Sequence, residues 1–312
     1  MFKNLMIYRI GPDWPTTAAQ LEEALAQEPF AECGATQQKA VGWLPPRGQA
    51  HGALVESVGG QWIARFAIET KAVPADALKR KVQEAVDEIE RTTGRHAGKK
   101  EQRDLRDDAL LALLPQAFPR RSELNLWLAP DNRWLVIDTS SQSKADEVIN
   151  SLVRTAGHGF TVALLQTKES PQAAMSAWLS DDRDRLPEAF DVGRDCELKG
   201  SGEEPAVIKF VRHDVATDEV RQHIADGNLP TKLALHWKAR VRFALTHTLQ
   251  LKQITFEEGM LQENDSTPDE DRFDADVALA TGELGTLLAD LIDALGGAAA
   301  EPSLQGAAAV AK

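Results

Sequence analysis

Residues 231–256, TKLALHWKARVRFALTHTLQLKQITF, alternate in a way that restricts the structure this segment can adopt. One parity carries His236, Lys238, Arg240 and Arg242, and the other carries Trp237, Ala239, Val241 and Phe243. Successive side chains of a β-strand point to opposite faces of the sheet. The pattern therefore predicts a single strand with one apolar face and one basic face.

The basic face has no acid beside it in the sequence. Residues 231–256 contain five Lys and Arg and no Asp or Glu, in a chain that has 48 acids among 312 residues. A face of one charge sign is typical of a surface that binds a polyanion, so Lys238, Arg240 and Arg242 are candidate DNA-binding residues. The alternative is an ordinary solvated face whose acidic partners come from a neighbouring strand, and the sequence leaves both open.

The net charge of −13 is unevenly distributed along the chain. Residues 257–312 carry 13 acids and 2 bases, a net charge of −11, which leaves −2 for residues 1–256. A low overall isoelectric point therefore does not exclude a basic surface on the first 256 residues.

Cysteine spacing and hydropathy predict a cytoplasmic protein. Cys33 and Cys196 lie far apart, with neither a CxxC pair nor a zinc-type spacing, and are expected to be reduced thiols. The opening residues MFKNLMIYRI lack the apolar region of a signal peptide, and no apolar run reaches membrane-spanning length. We expect no membrane partner.

The order of predicted elements indicates an α+β protein. A mixed-sheet centre domain is predicted over residues 1–75 and 120–170, where alternating strands and capped helices occur. A C-terminal α+β base domain is predicted over residues 171–297, with a polar stretch to Glu204 and a long amphipathic helix from Asp271 to Leu295. Residues 298–312 are predicted to be a disordered tail.

Residues 76–119 are predicted to form a helical hairpin, the tip, inserted into the centre domain. Pro74 opens the first helix, Gly94 ends it, and a second helix runs from about Lys99 to Pro115. Its candidate DNA-binding residues are Arg95, Lys99, Lys100 and Arg103. A charge run of this kind is also typical of a solvated helix face, and both interpretations stay open.

A third set of candidate DNA-binding residues ends a predicted strand. The strand Ala206–Val211 contains Lys209 and leads Arg212 and His213 into a turn before a helix capped by Thr217. A turn between a strand and a helix exposes its residues and offers backbone N–H groups to anions. Lys209, Arg212 and His213 therefore join the candidates.

Leu114 and Phe118 are candidates for a contact between protein chains. They lie four residues apart, and Pro115 is expected to break the helix so that Phe118 sits on an irregular end. A protruding aromatic side chain either folds into its own domain or packs against a partner. The residues leave these two alternatives open.

No residue pattern points to a catalytic centre, and no cofactor or metal is expected. The segment GRHAGKK at residues 94–100 does not fit a P-loop, because Lys100 stands where Ser or Thr must bind magnesium. The acids of residues 265–276 would suit a metal-dependent nuclease, but Glu270 stands where a calcium loop needs glycine, and a solvated helix start is favoured. A protein-binding scaffold without DNA contact is the other alternative.

Five segments together resemble the RdgC family of bacterial recombination-associated proteins. They are FKNLMIYRI (2–10), GWLPP (42–46), LLPQAF (113–118), TKLALHW (231–237) and RFDADVALATGELGTLLADLIDALGG (272–297). No single segment is diagnostic of a chemistry, and the ordered set over nearly the whole chain carries the resemblance. Residues 231–256 are more basic than the family pattern requires.

The resemblance implies a protomer of centre, tip and base that pairs tip to tip and base to base into a ring-shaped homodimer. It implies binding of double-stranded DNA with little sequence preference, association with the nucleoid, and restraint of the RecA recombinase through occupation of its DNA. Leu114 and Phe118 would then lie at the tip contact. The three basic sets would line one concave surface that contacts phosphates and leaves base edges unread.

Overall fold

The computed structural model describes residues 2–12, 14, 17–157, 159–180, 185–202, 205–257 and 269–300, without the side chains of residues 269–271. Most of the predicted tail, from residue 301 onward, lies outside the described residues, as does Asp265. The first tail residues are ordered against the chain: Ala298 forms a β-bridge with Thr167, and the Ala299 N–H donates to the Gln166 carbonyl at 2.8 Å.

The described chain contains both helices and strands. The strands are β1 Leu5–Ile10, β2 Lys39–Leu44, β3 Val55–Val58, β4 Gln61–Lys71, β5 Pro119–Ala129, β6 Trp134–Asp138, β7 Val162–Leu164, β8 Phe190–Lys199, β9 Val207–Phe210, β10 Leu229–Trp237, β11 Val241–Thr246 and β12 Leu251–Phe256. The helices are α1 Ala18–Leu25, α2 Ala75–Thr93, α3 Lys99–Leu113, α4 Gln142–Thr155, α5 Pro171–Leu179, α6 Asp218–Ala225 and α7 Asp269–Ala294, with a 3-10 turn at Leu114–Gln116. None of these helices combines the length and hydropathy needed to cross a membrane.

The described strands form one sheet in the order β2-β4-β5-β6-β1-β12-β11-β10-β8-β9, with β3 added to β4 and β7 to β1. Every strand pairing is antiparallel, where the sequence had predicted a mixed sheet in the centre. The α+β class is confirmed. Strand β8 was not predicted, because its charged residues had been interpreted as an irregular polar stretch.

The predicted helical hairpin is confirmed as α2 and α3. It is inserted between β4 and β5, which pair from Trp62 opposite Leu128 to Lys71 opposite Pro119. Gly94 ends α2 with φ of 68°, a conformation that glycine adopts without strain. Helix α3 stops before Pro115, which lies in the 3-10 turn, so the helix does break where proline predicted.

Two clusters of buried apolar side chains pack against the two faces of the sheet. One packs the inner strands β1, β4, β5 and β6 against α1 and α4. The other lies on the opposite face and joins the same strands to β8, β10, β11 and β12 beneath α5 and α7. Of the predicted apolar stripe, Val277, Ala280, Leu284, Leu287, Leu288, Leu291 and Leu295 are buried, whereas Phe273 is partly buried against the same cluster. The amphipathic helix is therefore confirmed, and it packs across both halves of the sheet.

The predicted basic strand over residues 236–243 is wrong, because the chain reverses inside it. Strand β10 ends at Trp237, residues 238–240 form a turn, and β11 starts at Val241 and pairs back, with His236 opposite Arg242. Lys238 and Ala239 have φ of 48° and 50°, and the Arg240 N–H donates to the Trp237 carbonyl at 2.8 Å. The segment is thus a β-hairpin with Lys238 at its tip.

Candidate nucleic-acid interface

The bases of the β10–β11 hairpin have acidic partners, chiefly on α7. Lys238 Nζ lies 2.8 Å from Asp290 Oδ2, and Arg240 pairs with Glu283. Arg242 Nε lies 2.8 Å from Glu257 Oε1. One of the two alternatives left open by the sequence was an ordinary charged face whose acidic partners come from a neighbouring strand. Lys238 and Arg240 fit this alternative, except that their acidic partners lie on a helix.

Asp290 connects the hairpin tip to α7 through two hydrogen bonds. Its Oδ2 accepts from Lys238 Nζ at 2.8 Å and from Trp237 Nε1 at 2.8 Å. The hydrogen bond from Lys238, helped by the one from Trp237, holds the pKa of Asp290 below its usual range. A carboxylate with a lowered pKa stabilises the fold above its unfolded pKa and loses that contribution as pH falls through the folded pKa.

We expect Asp290→Asn to remove this pH-dependent contribution. At neutral pH the variant should lose up to about 1 kcal/mol of unfolding free energy, because the pair is partly exposed. As pH falls below the usual Asp pKa of about 3.9 and through the lowered pKa of folded Asp290, the carboxylate of the unaltered protein becomes protonated, so the two proteins should converge in stability. Urea unfolding at neutral pH and over a descending pH series measures the difference. A constant difference across pH would mean that Asp290 acts through packing rather than charge.

The open face of β8, β10, β11 and β12, opposite α5 and α7, contains a basic depression of about 360 Å³. We call it the sheet-face groove. Its charged and titratable lining residues are Arg194, Asp195, Arg212, Lys232, His236 and Arg242. Four bases and a histidine thus line the groove with one acid, Asp195, and of the four bases only Arg242 forms an ion pair with a described acid, Glu257. The charged residues come from three strands and the turn after β9.

Two irregularities in strand pairing shape the sheet-face groove. Opposite Ala234, strand β8 has three residues, Gly193–Asp195, where regular pairing has one. A Cβ at Gly193 would stand 2.8 Å from the Ala234 Cβ, so only glycine fits this close approach. On β12 the extra residue lies next to Gln253, whose φ is 56° and whose Oε1 accepts from Lys232 Nζ at 3.0 Å. Bulges re-aim side chains next to functional sites.

Arg212 enters the groove from a strained backbone position. Its φ is 54°, in the left-handed region that is costly for a residue with a Cβ. The Asp195 carboxylate accepts from the Arg212 N–H at 3.0 Å, and Arg194 Nη2 donates to the Arg212 carbonyl at 2.8 Å. The bulge on β8 therefore fixes the turn that presents the Arg212 guanidinium, which is exposed.

We expect Arg212→Gly to separate binding from stability. Glycine adopts φ of about 54° without strain and keeps the backbone N–H that Asp195 accepts, so unfolding free energy should stay the same or rise by up to about 1 kcal/mol. DNA affinity should fall, with the salt dependence of log K reduced by about 0.9 for one lost phosphate contact. Thermal unfolding and a salt titration measure the two effects. Equal affinity in the variant would place Arg212 outside the DNA contact.

The remaining predicted DNA-binding residues lie apart from the sheet-face groove. Lys209 Nζ pairs with Glu197 Oε2 at 3.1 Å on the β8–β9 edge. His213 follows Arg212 but does not line the groove, and its Nδ1 donates to the Asp214 carbonyl at 2.7 Å. Arg95 pairs with Glu101 at 2.6 Å, whereas Lys99, Lys100 and Arg103 form no ion pair with the part of the chain that the structure describes.

The two candidates for a protein contact differ in exposure. Phe118 is 89% exposed, just after the 3-10 turn Leu114–Gln116 that contains Pro115, so its ring is not folded into its own domain. Leu114 is 1% exposed and packs inside its own chain. Phe118 therefore presents its ring to solvent, and Leu114 supports the turn from within.

The described residues do not bring three or more His, Cys, Asp or Glu side chains together in a metal-binding arrangement. The acidic region proposed for a nuclease falls mostly outside them, since Asp265 and the side chains of residues 269–271 are not described. Asp274, from the same region, pairs with Arg47 Nη2 at 2.6 Å. Its carboxylate therefore anchors the start of α7 to the loop after β2.

Comparison with known proteins gives a consistent result over nearly the whole chain. The family described as "Putative exonuclease, RdgC" matches residues 1–298. A protein from Dechloromonas aromatica named "Recombination-associated protein RdgC" is 38% identical over 305 residues, covering 96% of this chain and 99% of the relative. Relatives of the same name from Herminiimonas arsenicoxydans and Bordetella pertussis are 38% and 36% identical over 298 residues, covering 95% of this chain and 98% of each relative. The chain therefore belongs to the RdgC family of recombination-associated proteins.

Proposed function

We propose that the protein binds double-stranded DNA without reading its sequence and modulates homologous recombination by limiting the access of RecA to DNA. The observation that carries the proposal is the sheet-face groove, where Arg194, Arg212, Lys232 and Arg242 converge with Asp195 as the acidic lining residue. Membership of the recombination-associated family supports the same function. On this proposal the protein is cytoplasmic and associated with the nucleoid.

The chemistry of the groove favours phosphate contacts over base readout. Lys and Arg neutralise phosphates and release counterions, which is the part of DNA affinity that does not depend on sequence. Direct readout in the major groove is typically made by a helix or a two-stranded ribbon that reaches base edges. The sheet-face groove is instead a depression in a sheet, with its positive side chains at the surface.

Ring formation by two copies is the second part of the proposal. Phe118 follows α3 and directly precedes β5. Its ring is 89% exposed and is suited to pack against the same residue of a second copy. A contact between hairpins and another between base regions would close the two protomers around the duplex. Closure would retain the protein on DNA even when individual phosphate contacts are weak.

A salt titration on linear duplexes of unrelated sequence tests the DNA-binding part. We expect log K to fall steeply and equally for all sequences between about 50 and 200 mM salt. A flat response would favour a protein-binding scaffold, and shortening of the DNA that requires magnesium would favour the exonuclease named in the family description. For recombination, preincubating duplex DNA with the protein should slow RecA-mediated strand exchange, and exchange at an unchanged rate would contradict the proposed restraint.

A further inference from the structure

A second basic groove, of about 570 Å³, lies between the two helices of the hairpin. We call it the hairpin groove. Its cations are Lys79 from α2 and Lys99, Arg103 and Arg106 from α3, and its amides are Gln83 and Gln102. No Asp or Glu is among the described residues that line it. The hairpin groove therefore has the charge of an anion site, and it contains Lys99 and Arg103, two of the hairpin residues that the sequence made candidates for DNA binding.

The four groove cations, Lys79, Lys99, Arg103 and Arg106, form no ion pair with any described residue, and the same is true of Arg80 and Lys100 on the hairpin. The remaining Lys and Arg of the hairpin are paired: Arg91 with Glu88 at 2.7 Å, Arg95 with Glu101 at 2.6 Å and Lys81 with Glu84 at 3.5 Å. No described acid therefore neutralises the groove cations by direct contact.

The spacing on α3 places three like charges along one helix face. Lys99, Arg103 and Arg106 follow an i, i+4, i+7 pattern, which puts them above one another on the helix. Like charges at this spacing repel one another and destabilise a helix. A bound anion would offset this repulsion, and Lys79 faces the row from α2.

The length of this row fits a nucleic-acid backbone. Seven residues of helix rise roughly 10 Å, and one strand of a duplex carries a phosphate about every 3.4 Å along its axis. The row of three cations therefore spans about three phosphate-to-phosphate intervals of one strand. Arginine also donates two N–H groups at once to the oxygens of a phosphate, which favours an oxyanion such as phosphate over an apolar ligand.

We infer that the hairpin groove is a phosphate-binding site that holds the backbone of one DNA strand separately from the sheet-face groove. The two sites are distinct because β5, which follows the hairpin, is five strand steps from β10, roughly 24 Å. A small anion fits one groove at a time, and only a polymer reaches both. The identity of the polymer rests on the proposed function, whereas the anion site does not.

Inorganic pyrophosphate is the probe for the site itself. Calorimetric titration of the full chain should detect saturable binding of pyrophosphate. The double variant Lys79→Gln/Arg103→Gln should bind it at least tenfold more weakly, which corresponds to the loss of about one charge-assisted contact. Arg80→Gln is the control, since Arg80 is exposed, forms no ion pair in the described chain and is adjacent to Lys79 but does not line the groove. Both substituted groove residues are exposed, so unfolding temperatures without ligand should match. Equal pyrophosphate affinity in the double variant and the control would overturn the site.

A salt titration on a linear duplex is the probe for the polymer. The double variant should reduce the slope of log K against log salt by about 1.8, while Arg80→Gln leaves it unchanged. Loss of pyrophosphate binding with an unaltered DNA slope would overturn the DNA assignment and identify a site for free phosphates. Tighter binding of an oligoglutamate peptide than of pyrophosphate would overturn the phosphate assignment. If the unaltered protein binds pyrophosphate in this groove but binds no DNA, the proposed function fails and the anion site stands.

Discussion

Replacing Arg194, Arg212 and Lys232 together by glutamine is expected to weaken binding to any duplex on the order of 100-fold at 0.15 M salt, with the slope of log K against log salt reduced by about 2.7. The three side chains line the sheet-face groove from three different elements, β8, the turn after β9 and β10, and none of them forms an ion pair with a described residue. Because the contacts are to phosphates, the loss should be the same for unrelated sequences. Fluorescence anisotropy on linear duplexes over a range of salt concentrations measures both quantities.

The matched control removes the same charge elsewhere. Lys209, Lys238 and Arg240 each pair with an acid, Glu197, Asp290 and Glu283 respectively. Their triple replacement by glutamine should change the slope much less, since those charges are already neutralised by neighbours. A larger slope change in this control than in the groove variant would mean that DNA lies along the turn between β10 and β11 and along the β8–β9 edge of the sheet. The sheet-face groove would then not be the binding surface.

The sequence alone was sufficient for elements whose signals are local. The apolar stripe of α7 repeats at helical spacing, and its members from Val277 to Leu295 are buried, with Phe273 partly buried. The α2–α3 hairpin could also be predicted from the sequence, because Gly94 and Pro115 interrupt an otherwise continuous helical pattern. In both cases the residues that define the element lie within a few turns of one another.

The turn at residues 238–240 could not be recognised for two physical reasons. Left-handed positions in tight turns usually hold Gly, Asn or Asp, whereas here they hold Lys238 and Ala239. A three-residue turn also pairs residues of equal parity, as His236 opposite Arg242 shows. The alternation of basic and apolar residues therefore continues through the turn as if one strand had continued.

The site depends on contacts between distant parts of the chain, which the sequence did not reveal. Arg240 and Glu283 are 43 residues apart, so a window that contains the base cannot contain its acid. Arg194 was missed because the polar pattern of β8 hid a strand. The one local sign was Gly193, since a glycine inside a strand often marks a bulge.

Phe118→Glu is expected to abolish topological retention on closed circular DNA while leaving phosphate contacts intact. On the proposed ring, two hairpins meet through this 89% exposed ring, and a charge on each side would repel its counterpart. An aromatic anchor at the centre of such a contact is worth about 2 kcal/mol or more, so the closed fraction should fall by roughly 30-fold. Dissociation in high salt should then be equally fast from circular and linear molecules, whereas the unaltered protein should leave circular DNA more slowly.

Val153→Glu supplies the comparison for the effect of a new surface charge. Val153 is 50% exposed on α4, outside the hairpin, so its substitution adds the same charge to an apolar surface position without touching the proposed contact. This variant should retain slow dissociation from circular DNA. Because the sheet-face groove is intact in both variants, their affinity for short linear duplexes should be nearly equal, which isolates closure from binding. If the unaltered protein already leaves circular and linear DNA at the same rate, the two hairpins do not close a ring, and the exposed Phe118 ring must serve a different contact.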